Sequence, residues 1–315
     1  MAPISAADLE RLDAMAVERG IALISNASLA PLTTLRVGGP ADRMVAAGSR
    51  DELLAALELA RGARVPWLVL GNGSDLVVAD AGIRGLVIRN RAREVAIHGL
   101  RLEADAGAPM ALLVRRCTAE GLAGLEFGTS IPGTLGGAVW ANAGAHGREM
   151  RDVVSTVDTW EPNQGTIANL AADDCGFAYR ESRFKHRPEV VISASLALER
   201  GDPAAIAVGV AGNQAQRVAT QPLADQNAGS VFRNPPDDHA GRLIDAAGLK
   251  GLRVGSAAVS ELHANFIVTD RGGRAADVRA LGDRVRAEVA SRFGVELAYE
   301  IEFVGDWSAA SDERP

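Results

Sequence analysis

The chain has 315 residues, 33 Lys and Arg against 40 Asp and Glu for a formal charge of −7, and is 47% hydrophobic but only 4% aromatic. At about 150 residues per domain this is two globular domains with buried cores, not a disordered chain. The acidic balance and sparse aromatics exclude a general nucleic-acid binder. Two cysteines without a C-x-x-C pair and five scattered histidines offer no disulfide framework and no metal site.

Residues 5–30 read as a helical leader and connector. Asp8, Glu10 and Arg11 leave no room for a signal-peptide apolar core, and no apolar run in the chain reaches membrane-spanning length. A soluble, cytoplasmic protein with no membrane partner is expected. Ser49 and Glu52 form an S-x-x-E capping box ahead of a helix that carries Leu53 and Leu57 on one face and should stop at Gly62. Trp67–Leu70, Leu76–Val78 and Leu86–Ile88 read as short strands, and Pro109–Glu120 as a helix stopped by Gly121. A glycine-dense loop follows from Gly128 to Gly147, then strands at Val153–Trp160 and Val190–Leu198. Composition changes at Gly201-Asp202-Pro203, the best domain boundary. Beyond it come a helix at 204–218, a loop at 221–236 and a long amphipathic helix near 275–293. That helix puts Val278, Leu281, Val285, Val289 and Phe293 on one stripe and ends at Gly294. A strand, Ile301–Val304, precedes a polar tail. Helices and strands mix throughout, so the class is α/β or α+β.

Two glycine loops carry the first chemical signal. Gly71-x-Gly73 follows an apolar strand, but the sixth position is Leu76 and a strand follows, so the dinucleotide fingerprint is not met. The alternative is a backbone nest for a phosphate, with Ser74 as a hydroxyl donor. The second loop, Ile131–Ala138 followed by Asn142–Gly147, would aim free amides at an anion where it enters a helix near Gly136. Two such loops suggest a diphosphate, hence a dinucleotide cofactor held without the usual dinucleotide fold. Four polar segments could act on a substrate: Tyr179–Lys185 with the planar fork of Arg180, Gly229–Pro235 with an accessible Ser230, His263–Val268, and Leu297–Phe303 with Glu300 and Glu302 on one polar face. Taken singly, each is as readily a solvated or turn residue. Ser230 lies in no nucleophile elbow, so a hydrolase is disfavoured.

Together and in this order, the segments resemble the UDP-N-acetylenolpyruvoylglucosamine reductase family, from about Pro31 to Gly305. The resemblance rests on Thr34–Gly39, Gly71–Ser74, Ile131–Ala138, Asn142–Gly147, Tyr179–Phe184, Gln221-Pro222, Gly229–Pro235, His263–Phe266 and Glu300–Gly305. It implies an α+β fold: a two-lobed FAD-binding domain of the vanillyl-alcohol-oxidase (PCMH) type at 31–200 and a smaller C-terminal α/β substrate-binding domain at 201–305. The leader at 1–30 and a tail at 306–315 flank them. It implies non-covalent FAD, with NADPH as electron donor. FAD would be held by Arg36 and Gly38, by Gly71, Asn72, Gly73, Ser74 and Asp75, by Thr129, Ile131, Pro132, Gly133, Gly136 and Gly137, and by Asn142, Gly144 and Ala145. Tyr179, Arg233, Asn234, His263 and Asn265 would bind a nucleotide-sugar substrate. In the implied reaction hydride goes to C3 of an enolpyruvyl group. Arg180 and Glu300 stabilise the charge on its carboxylate side, and Ser230 delivers a proton to C2. The short spacing from Arg180 to Ser230 resembles the shorter class of the family, which lacks an extra substrate-covering loop. Thr269, Asp75 and Ala298-Tyr299 depart from common family residues and put local contacts in question. Another flavin oxidase of the same fold, or a non-catalytic nucleotide-binding module, stays open on residues alone; intact Arg180, Ser230 and Glu300 oppose the second.

Overall fold

The computed structural model describes residues 4–308. Backbone contacts gather them into two compact units. The first takes the chain up to Ile24, then Met44–Asn72 and Gly85–Arg217; the second takes Ser25–Arg43, Gly73–Arg84 and the chain from Val218 onward. The expected leader is therefore divided between the units, and the helix after Pro203 stays with the first unit as far as Arg217. Of the polar tail, residues 309–315 lie outside the described residues.

In the first unit, α1 (Ala6–Glu18) opens with a reciprocal capping box. The Ser5 hydroxyl accepts from the Asp8 amide at 3.2 Å and the Asp8 carboxylate accepts from the Ser5 amide at 3.0 Å. The box expected for α2 (Arg50–Ala63) is only half made: Ser49 Oγ accepts from Glu52 N, but the Glu52 carboxylate takes the Gly48 amide. Gly62 does not stop this helix, which ends at Arg64 in a left-handed conformation. Its role is packing, because a Cβ there would lie 2.7 Å from Met15 Cε. Leu53 and Leu57 are buried as expected, in a cluster with Leu12, Leu86, Ile88 and Trp160. Trp67–Leu70 pairs in parallel with the strand through Leu86 and Ile88, and both read as unbroken apolar runs.

The same unit holds a five-stranded antiparallel sheet in the order Thr166–Ala171, Val154–Glu161, Val190–Ala197, Arg101–Asp105, Val95–His98. The first strand and the last two were not anticipated: their burial is partial and their runs are short, so the alternating signal is weak. α3 (Met110–Ala119) follows Pro109 and ends ahead of Gly121, whose φ is +64°. α4 (Leu135–Ala141) is a short helix inside the segment expected to be a glycine loop. Leu113, Leu135, Val139, Val157 and Leu196 close the core beneath it. α5 (Pro203–Thr220) is largely exposed, held by buried Ile206 and by Asn213, whose amide donates to the Glu126 carbonyl at 3.3 Å.

The second unit is built on an antiparallel sheet ordered Gln226–Ser230, Phe266–Thr269, Ala257–Val259, Arg253–Val254. Its first strand lies in a segment expected to be loop. α6 (Ala240–Ala246) and α7 (Ala275–Phe293) share a core with it through Phe232, Leu243, Ile267, Leu281 and Val285. α7 has the expected bounds, and Val278, Leu281, Val285 and Val289 are buried, but Phe293 in the last turn is 40% exposed. Arg274 at its N-cap cannot accept the free amides. The Asp80 carboxylate does so instead, taking Ala275 N at 2.8 Å and Ala276 N at 3.0 Å. Glu302–Val304 pairs in parallel with Leu76–Val78, which binds residues 73–84 into this unit. Among the described residues no helix is long and apolar enough to cross a membrane, and no cluster of metal-ligating side chains occurs.

Candidate functional site

The two glycine loops meet in the first unit. Asn72 Nδ2 donates to the Pro132 carbonyl at 2.9 Å, and a Cβ on Gly71 would lie 2.7 Å from Thr134 Oγ1. The glycines divide into two kinds. Gly71, Gly136 and Gly144 are required by the chain itself: a Cβ on Gly136 would lie 2.8 Å from Ala106 Cβ, and one on Gly144 2.5 Å from the Arg148 carbonyl oxygen. Gly137 is exposed, and its nearest neighbour to a Cβ would be Thr134 Oγ1 at 3.8 Å. Nothing inside the protein needs that position small. The expectation of free amides entering the helix near Gly136 is corrected in part. Leu135 N donates to Ala108 O and Gly136 N to Ala106 O, both at 2.8 Å, because the helix start is stitched to the neighbouring backbone. What stays open is the strip of Asn72, Pro132 and Gly137. Exposed backbone at these positions is the part of the two loops left for an anionic ligand such as a diphosphate. Thr129 and Ile131 flank it, half-buried, and Gly133 accepts from the Met110 amide at 3.1 Å.

Asn142 was expected to touch a cofactor, but its side chain is spent within the protein. It is fully buried in a left-handed conformation, donates to the Ala178 carbonyl at 2.8 Å and accepts from the Arg151 amide at 2.9 Å. It thereby pins the turn that carries Tyr179 and Arg180. Ala178 and Glu181 exchange two backbone hydrogen bonds at 3.0 Å, with Tyr179-Arg180 as the two central residues. Arg180 has φ +55°, a conformation that favours glycine and costs a side-chain-bearing residue about 1–3 kcal/mol. Such strain is held by surrounding contacts. Arg180 NH2 donates to the Gly144 carbonyl at 2.9 Å, and its guanidinium lies 5.1 Å from the Tyr179 ring centre. Gly144, in a short hairpin with Ala145, thus seats the arginine. Sequence reasoning missed the clamp behind it: buried Ser182 donates to Trp140 O at 2.6 Å, and Trp140 Nε1 to Phe184 O at 3.0 Å. A polar residue between Arg180 and Phe184 was the available signal.

The second unit carries the remaining residues. Gly73 has φ +57°, and a Cβ would lie 2.5 Å from Leu32 O; Gly38 has φ +116° and would meet Val78. Both are demanded by packing. Arg36, also left-handed at φ +59°, donates from its guanidinium to Pro31 O at 2.7 Å, and Ser74 and Asp75 lie half-buried after Gly73. Ser230 ends a strand whose pairing with Phe266–Thr269 is irregular between Asn227 and Ser230. Gly229 there has φ +77°, and the Asn227 carboxamide accepts from its amide at 3.0 Å. A bulge of this kind re-aims the side chain that follows it. Ser230 lines a cleft of about 370 Å³ with Asn234, Arg242, Lys250, His263 and Asn265. Glu300 N donates to Val231 O at 2.8 Å and Arg233 N to Ala298 O at 2.9 Å, so Glu300 stands opposite the residue after Ser230.

Two expected substrate ligands turn out to hold the backbone. Asn265 is 4% exposed; its Oδ1 accepts from Phe232 N at 3.0 Å and its Nδ2 donates to Phe232 O at 2.8 Å. Asn234 Oδ1 accepts from Ala240 N at 3.0 Å, at the start of α6. His263 Nδ1 accepts from Asn265 N at 3.2 Å, which leaves Nε2 protonated in the neutral ring. Burial, with the nearby Lys250 charge, holds His263 below its usual value. Arg242 lies in the unexpected short helix α6 and Lys250 in the turn after it, and both were missed; they pair with Asp238 and Asp245. Thr269, a departure from the family pattern, is buried and donates to Leu35 O at 2.8 Å. Burial pushes the Cys117 and Cys175 thiols up to about 12 and 11, too basic for nucleophilic work.

The comparisons with known proteins define the class, a flavin-binding oxidoreductase. Residues 41–171 match the FAD binding domain family, and residues 221–304 match the UDP-N-acetylenolpyruvoylglucosamine reductase C-terminal domain. UDP-N-acetylenolpyruvoylglucosamine reductase 2 of Symbiobacterium thermophilum is 45% identical over 87% of this chain and 89% of its own, and the Bacillus subtilis reductase is 38% identical over 90% and 94%. The crystal structure of the Thermus caldophilus reductase superposes with a TM-score of 0.76 at 35% identity, covering 90% of this chain and 98% of that one. The chain belongs to the UDP-N-acetylenolpyruvoylglucosamine reductase family, and residues 41–171 form an FAD-binding domain.

Proposed function

We propose that this protein reduces UDP-N-acetylglucosamine enolpyruvate to UDP-N-acetylmuramate with NADPH as electron donor, in the cytoplasmic supply of peptidoglycan precursor. FAD, when bound, supplies the hydride carrier between NADPH and C3 of the enolpyruvyl group. Gly71, Asn72, Pro132 and Gly137, all in the first unit, would hold it without a covalent bond. Arg180 offers a fixed planar cation for the substrate carboxylate, and its strained, clamped turn keeps that charge preorganised. The family resemblance gives Glu300 a part in stabilising the charge that develops on the substrate. Ser230 donates its hydroxyl proton to C2. A hydroxyl is a weak acid, so the step depends on the strong basicity of the carbanion it meets. Lys250 and Arg242, each paired with an aspartate, line the cleft with side-chain donors for the nucleotide portion, and His263, neutral with Nε2 protonated, offers a further donor.

The observation that carries this reading is the bulge at Gly229, which turns Ser230 into the cleft within one residue of the strand position opposite Glu300. Ser230→Ala tests it by stopped-flow flavin absorbance. Reduction by NADPH should stay nearly normal, while reoxidation by the enolpyruvyl substrate falls about 10²- to 10⁴-fold. Equal slowing of both steps would point to misplaced flavin and remove the proton-donor role; no slowing of either would hand that proton to water.

A further inference from the structure

The residue before Glu300 is an aromatic held at every edge. Tyr299 stacks on Phe232, with ring centres 5.1 Å apart and planes 27° apart, and meets Phe303 edge-on at 4.9 Å. Its hydroxyl donates to Asp283 Oδ1 at 2.8 Å. The Arg286 guanidinium lies 5.1 Å from its ring centre, and Arg286 Nε donates to Leu297 O at 2.8 Å, two residues upstream. One turn of α7, Gly282 to Arg286, therefore grips the segment 297–299 at several points.

Gly282 shows that the fit is specific. It sits in a 19-residue helix, where glycine is less favourable than alanine. Its φ is ordinary, so the backbone does not call for glycine. A Cβ there would lie 2.5 Å from Tyr299 Oη and 2.9 Å from Cε1. The helix is notched where the tyrosine enters. On the other side Tyr299 forms an isolated antiparallel bridge with Phe232, tied by Glu300 N to Val231 O and by Arg233 N to Ala298 O. Extended neighbours at such a bridge leave on opposite sides, so an inward Tyr299 sets Glu300 on the other side.

We infer that Tyr299, bolted to Asp283 through the notch at Gly282, is a positioning residue that sets the place of the Glu300 carboxylate during substrate reduction. The inference rests on the role given to Glu300 above. Sub-ångström placement matters for such a group, since a displacement of about 1 Å at a reacting centre costs on the order of 10²-fold. Tyr299→Phe keeps the ring in its stack and removes only the bolt.

The experiment measures both half-reactions of the FAD-loaded protein, with flavin content and melting temperature, for Tyr299→Phe, Glu300→Gln and the double variant. Tyr299→Phe should slow reoxidation by the enolpyruvyl substrate about 10- to 100-fold, through the rate constant at saturation rather than KM. Reduction by NADPH and flavin content should be unchanged. In the Glu300→Gln background the same substitution should change reoxidation less than twofold, because its target is gone. Normal reoxidation in Tyr299→Phe while Glu300→Gln is slow would overturn the link and leave the role of Glu300 standing. Equal slowing of both half-reactions, or an undiminished Tyr299→Phe effect on top of Glu300→Gln, would overturn it as well. Normal reoxidation in Glu300→Gln would remove the role of Glu300 and the inference with it.

Discussion

Asn265→Ala separates a substrate ligand from a backbone clamp. Asn265 is 4% exposed, Phe232 is 2% exposed, and the two share hydrogen bonds of 3.0 and 2.8 Å. Removing the carboxamide leaves the Phe232 N–H and C=O without those partners where water does not reach. At about 1–3 kcal/mol for each buried group left unsatisfied, the loss is about 2–6 kcal/mol. That is a large share of the roughly 5–15 kcal/mol that holds an ordinary domain. Guanidinium unfolding followed by far-UV circular dichroism reads the loss directly. The midpoint should fall with little change in slope. Asn265→Asp should also be destabilised, since it keeps the acceptor for Phe232 N but sets a carboxylate oxygen against the Phe232 carbonyl. An unchanged midpoint together with a raised KM for the enolpyruvyl substrate would refute the argument and return Asn265 to substrate binding.

Gly137→Ala should fold with undiminished stability, because its Cβ enters open space, yet retain less FAD on gel filtration; Gly136→Ala, whose Cβ would meet Ala106, should lower the melting temperature instead. Full flavin occupancy in Gly137→Ala would detach that position from the cofactor. His263 has its folded-state value below the ordinary 6.5, from burial first and the Lys250 charge beside it. Above about pH 6.5 both folded and unfolded forms are neutral and its full contribution is present; as pH falls the unfolded state takes up the proton first, so stability is lost. Melting temperatures at pH 8 and pH 5 should therefore drop further in the unsubstituted protein than in His263→Asn, which keeps an acceptor for Asn265 N. Parallel drops would assign the acid sensitivity elsewhere.

Several features were legible in the chain alone. α7 is long, strongly periodic and ended by Gly294, and its bounds match the expectation because local periodicity and capping carry that information. The same holds for Trp67–Leu70 and for α3 between Pro109 and Gly121. The motif segments put forward Arg180, Ser230 and Glu300 as candidates, since motif residues stand close together in sequence. Tertiary structure decided what depends on distant partners. Asp80 caps α7 from 195 residues away, and Gly62 packs against Met15 instead of ending α2. Asn142 and Asn265, expected as ligands, hold backbone groups with both ends of their carboxamides, a use that only their neighbours in space decide. Tyr299, a departure from the family pattern, is accommodated by Gly282 seventeen positions earlier. A helix-interior glycine carries no local signal of the ring that fills its notch. Residue type and spacing set the chemistry available to this chain; packing decided which polar groups are spent on the fold and which are left for function.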